Sequence, residues 1–139
     1  MRIIIDTNIL VSALISEQGV PAKLLDAWTE QVFTLITSRT QLAELNDVTR
    51  RPIVRPLLKP ANVGRFINDL QKHATVLERL PTVDRSRDAN DNFLLAMAAA
   101  GEADYLVTGD KRDVLALKRH GATHIVTARA MLKILDVAE

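Results

Sequence analysis

Cysteine is absent from the 139 residues, which excludes a zinc ribbon, a thiol redox centre and a Cys nucleophile and leaves no sign of an oxidising compartment. Aromatic residues are scarce. Trp28, Phe33, Phe66, Phe93 and Tyr105 are all there are, mostly at core-like positions, so recognition by base stacking has little support. With five Gly and five Pro, the chain is neither collagen-like nor of low complexity. No apolar run approaches the roughly 18 residues of a membrane span. Met1-Arg2-Ile3-Ile4-Ile5 runs straight into Asp6 with no leader-like apolar region, so a soluble cytoplasmic protein is expected. Neither sign of charge dominates: 18 Lys and Arg against 17 Asp and Glu leave +1, which neither demands nor forbids a nucleic-acid partner. A chain of this length can bury on the order of 70% of its unfolded surface, so one domain over residues 1–139 is expected, with no need of disulfides.

Short β-rich runs alternate with longer helical patterns, the signature of an α/β domain with a mostly parallel sheet flanked by helices on both sides. Arg2 to Ile5, Val32 to Ile36 and Tyr105 to Val107 are unbroken apolar runs of the kind strands covered on both faces show, and Thr75 to Leu77 and His124 to Val126 are weaker candidates. Ala22 to Glu30 follows Pro21 as an amphipathic helix, and Asn62 to His73 offers Val63, Phe66, Ile67 and Leu70 as the apolar face of another. Ser38-Arg39-Thr40-Gln41 has the form of a capping box opening a helix with Leu42, Leu45 and Val48 on its apolar face, limited by Pro52 and Pro56. Asp91 to Ala100 predicts a helix terminated by Gly101, and Lys111 to Arg119 and Arg129 to Val137 predict two more. The stripe Met131, Leu132, Leu135 reads as internal core.

Asp6 stands where the first strand stops and a helix starts, a position that suits an N-cap. Asp110 repeats the arrangement after Leu106-Val107-Thr108-Gly109. In an open parallel sheet the C-terminal strand ends share one edge, and ligands bind in the crevice outside it, so the two acids converge. Asp91, in the first turn of a helix running antiparallel to the strand that follows, belongs on the same rim, with Asp88 or Asn90 as its cap. Glu44 falls about 40° from Val48 on the helical wheel, beside the buried stripe. Carboxylates gathered this way repel one another by about 4 kcal/mol per pair at 4 Å and an effective dielectric of 20. Either their pKa values rise or a hard divalent cation binds, and all-oxygen ligands suit Mg²⁺ or Mn²⁺. Such an ion with open water positions serves phosphodiester hydrolysis.

Ile3-Ile4-Ile5-Asp6-Thr7-Asn8-Ile9-Leu10-Val11-Ser12-Ala13-Leu14, Glu44 after Thr37-Ser38, Asp88-Ala89-Asn90-Asp91-Asn92-Phe93-Leu94 and Ala103-Asp104-Tyr105-Leu106-Val107-Thr108-Gly109-Asp110-Lys111 together resemble a PIN-domain ribonuclease. The likeness runs from Met1 to about residue 130 and is close to the branch that holds toxin components of toxin–antitoxin systems. It implies an endoribonuclease that uses one or two Mg²⁺ or Mn²⁺ ions, with Asp6, Glu44, Asp91 and Asp110 as the four acids. Asp6 and Asp110 are the leading candidates for direct ligands. Asp88 belongs to the motif in this branch and is read as a cap before a ligand. Asn8 and Thr108 would orient carboxylates or water. Asp113, a turn beyond Asp110, is an accessory candidate, more readily a surface residue. Arg87-Asp88-Ala89 departs from the commoner Asp-Pro form, which bears on loop geometry alone. Family members are commonly dimeric and are inhibited by an antitoxin that covers the site.

Arg50, Arg51, Arg55 and Lys59 on one side and Lys111 and Arg112 on the other could hold RNA phosphates beside the acids. Two other readings stand beside the nuclease. An aspartyl phosphatase also puts Asp after a first apolar strand, but its general acid two residues on is replaced here by Asn8. A non-catalytic RNA- or protein-binding module would keep the fold and bind without metal. On the nuclease reading, Asp6→Asn should abolish cleavage and leave the fold intact or slightly more stable, because one charge leaves a repulsive cluster.

Overall fold

Ile3, Ile4 and Ile5 are almost wholly buried, and the two-residue period of a strand sends them to opposite sides of the sheet. Ile3 and Ile5 join a core with Leu10, Leu24, Leu45, Leu70 and Met131, while Ile4 joins another with Ile36, Leu95, Met97, Leu106 and Ile125. This strand is covered on both faces, which is why it reads as an unbroken apolar run. Each such Ile contributes about 2 kcal/mol by leaving water. The computed structural model describes residues 1–86, 88–109 and 112–138.

In chain order the elements are β1 (Arg2–Ile5), α1 (Thr7–Ile15), α2 (Val20–Thr29), β2 (Thr34–Ser38), α3 (Arg39–Thr49), a 3-10 turn (Arg55–Leu57) and α4 (Pro60–His73). There follow β3 (Thr75–Leu77), α5 (Ala89–Gly101), β4 (Tyr105–Val107), α6 (Arg112–Leu115), β5 (Arg119–His120), β6 (Thr123–Val126) and α7 (Ala128–Ala138). The sheet order is β3-β2-β1-β4-β6-β5. Every neighbouring pair is parallel except β5 with β6. The chain winds outward from β1 through β2 to β3, then returns to the other side of β1 with β4, so the order reverses between β1 and β4. Open sheets of this kind bind ligands at that reversal. Met131 and Leu135 are core residues, as their spacing predicts, and among the described residues no helix is long and apolar enough to cross a membrane.

Three sequence expectations are corrected. The run from Val32 begins the strand late: the Val32 N–H bonds the Ala27 carbonyl to close α2, and β2 starts at Thr34 and continues through buried Thr37 and Ser38. The helix expected to reach Arg119 stops at Leu115; Lys118 takes a left-handed φ of 60°, and β5 pairs with β6 through a turn in which Gly121 has φ 58°. Gly101 does not itself provide the left-handed stop, which falls on Glu102 at φ 50°. Its role is close approach: a Cβ on Gly101 would lie 2.9 Å from Ile36 Cγ2.

Candidate active site

The peptide N–H of Asp6 donates to the Val107 carbonyl at 2.8 Å, continuing the β1–β4 pairing to the point where the chain turns into α1. Asp6 is the N-cap of that helix, as its position predicts; its Oδ1 accepts the Asn8 N–H at 3.2 Å. Its Oδ2 accepts the Thr108 hydroxyl at 2.9 Å, so the two strands flanking the reversal are joined through a buried carboxylate. The Asn8 N–H and the Thr108 hydroxyl are neutral donors, which orient the carboxylate.

Gln41 sets the second wall. Ser38 Oγ accepts the Gln41 N–H at 3.0 Å, the first half of the predicted capping box. The reciprocal half is replaced: the Gln41 side chain, buried, donates to the Ile5 carbonyl at 2.7 Å and to Thr7 Oγ1 at 3.3 Å and accepts from the Thr37 hydroxyl at 2.7 Å. The start of α3 is thereby fastened to the C-terminal ends of β1 and β2. One turn further on, Glu44 is half-buried and faces the same cleft as Asp6. That cleft has a volume of about 260 Å³ and is lined by Asp6, Asn8, Glu44, Val48, Arg51, Phe93 and Leu94.

Asp91 stands in the first turn of α5, the helix that contributes Phe93 and Leu94 to the cleft, and is 2% exposed. Its Oδ2 accepts the Ser86 hydroxyl at 3.3 Å. Asp88 is exposed and immediately precedes α5, its carbonyl accepting the Asn92 N–H at 3.2 Å, which is the backbone arrangement of a cap. Asp110 and Lys111 lie outside the described residues, and so do the side chains of Arg112 and Asp113.

The basic run is dispersed. Arg51 lines the acidic cleft and pairs with Asp47 at 3.0 Å. Arg50 and Arg55 line a separate hollow of about 410 Å³ between α3 and α4, and Lys59 lines a third beside Ile15 and Leu57. Phe93, Gln41, Ser86 and Asn92 are the contributions that sequence reasoning misses. Gln41 stands in the capping box, three residues before Glu44, and Asn92 and Phe93 stand in the segment after Asp91, but these patterns do not state the part each plays in the site.

The donors that face the cleft are carboxylate and amide oxygens, with no thiol or imidazole among them, which is the chemistry of a site for a hard divalent cation. Among the described residues no group of three or more His, Asp or Glu side chains is placed to hold a metal ion on its own. Asp6 and Glu44 are the two described carboxylates that the cleft brings together. They fit such an ion as part of a ligand set.

A parallel α/β sheet with a buried carboxylate at the reversal of its strand order places an acid where open sheets of this kind bind ligands. The family model described as PIN domain matches residues 2–112, and the chain belongs to that family, whose members are generally metal-dependent nucleases. Among curated proteins it is similar to the uncharacterized protein MJ1680 of Methanocaldococcus jannaschii, 29% identical over 119 residues, which cover 85% of this chain and 76% of that protein. No solved structure matches it.

Proposed function

We propose that the protein is a metal-dependent endoribonuclease that hydrolyses RNA phosphodiester bonds, the whole of residues 1–139 forming one nuclease domain. The observation that carries this reading is the pairing of Asp6 and Glu44 in one cleft at the reversal of the sheet, with Asp6 held by Thr108 and Asn8. Asp6, Glu44, Asp91 and Asp110 would hold one or two Mg²⁺ or Mn²⁺ ions. When bound there, the cation supplies activation of water and neutralisation of charge on the leaving oxygen.

The chain's own residues do the rest. Thr108 and the Asn8 N–H fix the Asp6 carboxylate, Gln41 fixes the turn that carries Glu44, and Arg51 offers a guanidinium to a phosphate at the cleft wall. Phe93 presents a half-buried ring beside the acids, an apolar surface for a base or ribose. Within the same reading the protein is the cytoplasmic toxin of a toxin–antitoxin pair, with the antitoxin as its protein partner.

The test is incubation of wild-type and Asp6→Asn protein with mixed RNA in Mg²⁺, in Mn²⁺ and in EDTA. Cleavage by the wild type alone and only with metal is the expected result. Cleavage that survives EDTA, or a fully active Asp6→Asn protein, overturns the site. RNA binding without cleavage under all three conditions favours the non-catalytic module.

A further inference from the structure

Residues 85 and 86 belong to no helix or strand, yet hydrogen bonds on either side hold them between α5 and β5. Asn92 Oδ1 accepts two consecutive peptide N–H groups, Arg85 at 3.0 Å and Ser86 at 2.8 Å, and Asn92 Nδ2 donates to the Ser86 carbonyl at 2.8 Å. A single side-chain amide thus does for this stretch what a neighbouring strand would do. At the other end the Arg85 guanidinium donates to the Arg119 carbonyl at 2.8 Å and to His120 Nδ1 at 3.0 Å. Between these fastenings sits the Ser86 hydroxyl, which donates to Asp91 Oδ2 and accepts the Asp88 N–H, both at 3.3 Å.

We propose that Asn92 and Ser86 are positioning residues for Asp91, closing a ring in which the turn that carries the acid also holds the donor that orients it, and that Arg85 anchors this ring to β5. This rests on the reading of Asp91 as a metal-holding acid. Asn92 follows Asp91 in sequence, so the ring needs no distant element to bring donor and carboxylate together. Ser86 contributes a neutral hydroxyl, which orients the carboxylate without itself neutralising it. Asn is the residue type the geometry requires. Asp could accept both N–H groups but would set an oxygen against the Ser86 carbonyl, and Ala would make none of the three bonds.

The experiment uses the full chain and reads Mn²⁺ affinity by calorimetry, the KM and kcat of RNA cleavage, and the thermal unfolding midpoint without metal. The variants are Asn92→Ala, Asn92→Asp, Ser86→Ala and Ser86→Thr. Loss of an orienting bond behind a metal ligand costs on the order of 10-fold or more in affinity, so Asn92→Ala and Ser86→Ala should each weaken Mn²⁺ binding by about that factor. Their kcat should fall more than KM rises. Ser86→Thr, which keeps the hydroxyl, should restore affinity, and Asn92→Asp should not. Wild-type affinity in Ser86→Ala overturns the proposal, and so does a lowered unfolding midpoint with unchanged affinity in Asn92→Ala. Should Asn92→Ala fail to fold, the Ser86 pair decides. Failure of the wild type itself to bind Mn²⁺ overturns the metal site, and the ring's role with it, which is distinct from a wild type that binds and a Ser86→Ala protein that binds equally.

Discussion

The Thr108 hydroxyl donates to Asp6 Oδ2 at 2.9 Å, joining the end of β4 to the end of β1 where the order of the sheet reverses. Neither residue is more than 3% exposed. A hydrogen bond to a buried charged group contributes about 1.5–3 kcal/mol. Thr108→Val keeps the shape and removes the donor, so it should lower stability by roughly that amount and weaken Mn²⁺ binding, whereas Thr108→Ser should keep most of both. Denaturant titration beside calorimetric Mn²⁺ titration checks the pair; a Val variant equal to wild type in both would remove Thr108 from the site.

The same geometry changes the expectation for Asp6→Asn. Charge repulsion alone predicts a neutral or slightly stabilised protein, but both Asp6 oxygens accept from donors, Thr108 Oγ1 and the Asn8 N–H. An Asn amide has one oxygen only, so its NH₂ must face one of those donors. The variant should therefore lose about 1 kcal/mol without metal while losing cleavage altogether. Thermal unfolding in EDTA reads the first effect, and a gain in stability would mean that repulsion outweighs the lost bond.

Gln41 is the polar hinge between sheet and α3. Replacement by Leu leaves the Ile5 carbonyl without the Gln41 donor and the Thr37 hydroxyl without the Gln41 acceptor, in a place where Gln41 is 1% exposed. Each buried group left unsatisfied costs about 1–3 kcal/mol. Gln41→Leu should lower the unfolding free energy by several kcal/mol and depress cleavage through Glu44, whereas Glu44→Gln should depress cleavage with little effect on stability. Comparing denaturation curves and initial rates of the two proteins separates the hinge from the acid.

Legibility in the sequence followed the range of the interactions. β1, the cap at Asp6, the cap at Ser38 and the internal stripe on α7 rest on neighbours a few residues away, and local pattern was enough for each. The two Gln41 bonds to Ile5 and Thr7 span 36 and 34 residues, and the Arg85 bond to Arg119 spans 34; no periodicity carries such information. The two-residue strand β5 is held in place by β6 and falls below the length at which a strand pattern exists. The basic run 50–59 looks continuous in sequence, but the end of α3, the 3-10 turn and the start of α4 turn its residues into three hollows. The acids are legible at strand ends and in a family likeness, whereas nothing local marks Phe93, which packs against the core, as a cleft wall as well.

Gly101 lies against β2 and β3. A Cβ there would sit 2.9 Å from Ile36 Cγ2, 3.2 Å from Ile36 Cδ1 and 3.4 Å from Leu77 Cδ1. Ala is a better helix former than Gly by about 1 kcal/mol in a helix interior, but Gly101 is the last residue of α5, where that advantage is smaller. Overpacking of a tight core costs about 1–3 kcal/mol, so contact should prevail and Gly101→Ala should unfold at a temperature lower by about 3 °C or more. A rise in the midpoint would show that α5 can shift away from the sheet freely.

His120 supplies a pH dependence of known sign. Its pKa is lowered from the ordinary 6.5, first by burial and then by the nearby Arg85 guanidinium. A guanidinium only donates, so Nδ1 accepts, and protonation removes that acceptor and sets two cations side by side. Folded His120 therefore binds its proton less readily than unfolded His120. Between the lowered folded value and about 6.5 the unfolded chain holds more protons, so stability rises with pH through that window and falls as the pH drops through it, with no contribution above it. His120→Asn keeps an acceptor and cannot titrate. Wild type should lose more of its unfolding midpoint than His120→Asn between pH 7.5 and pH 5, other groups affecting both proteins alike, and equal losses would show that the Arg85–His120 contact carries no weight in stability.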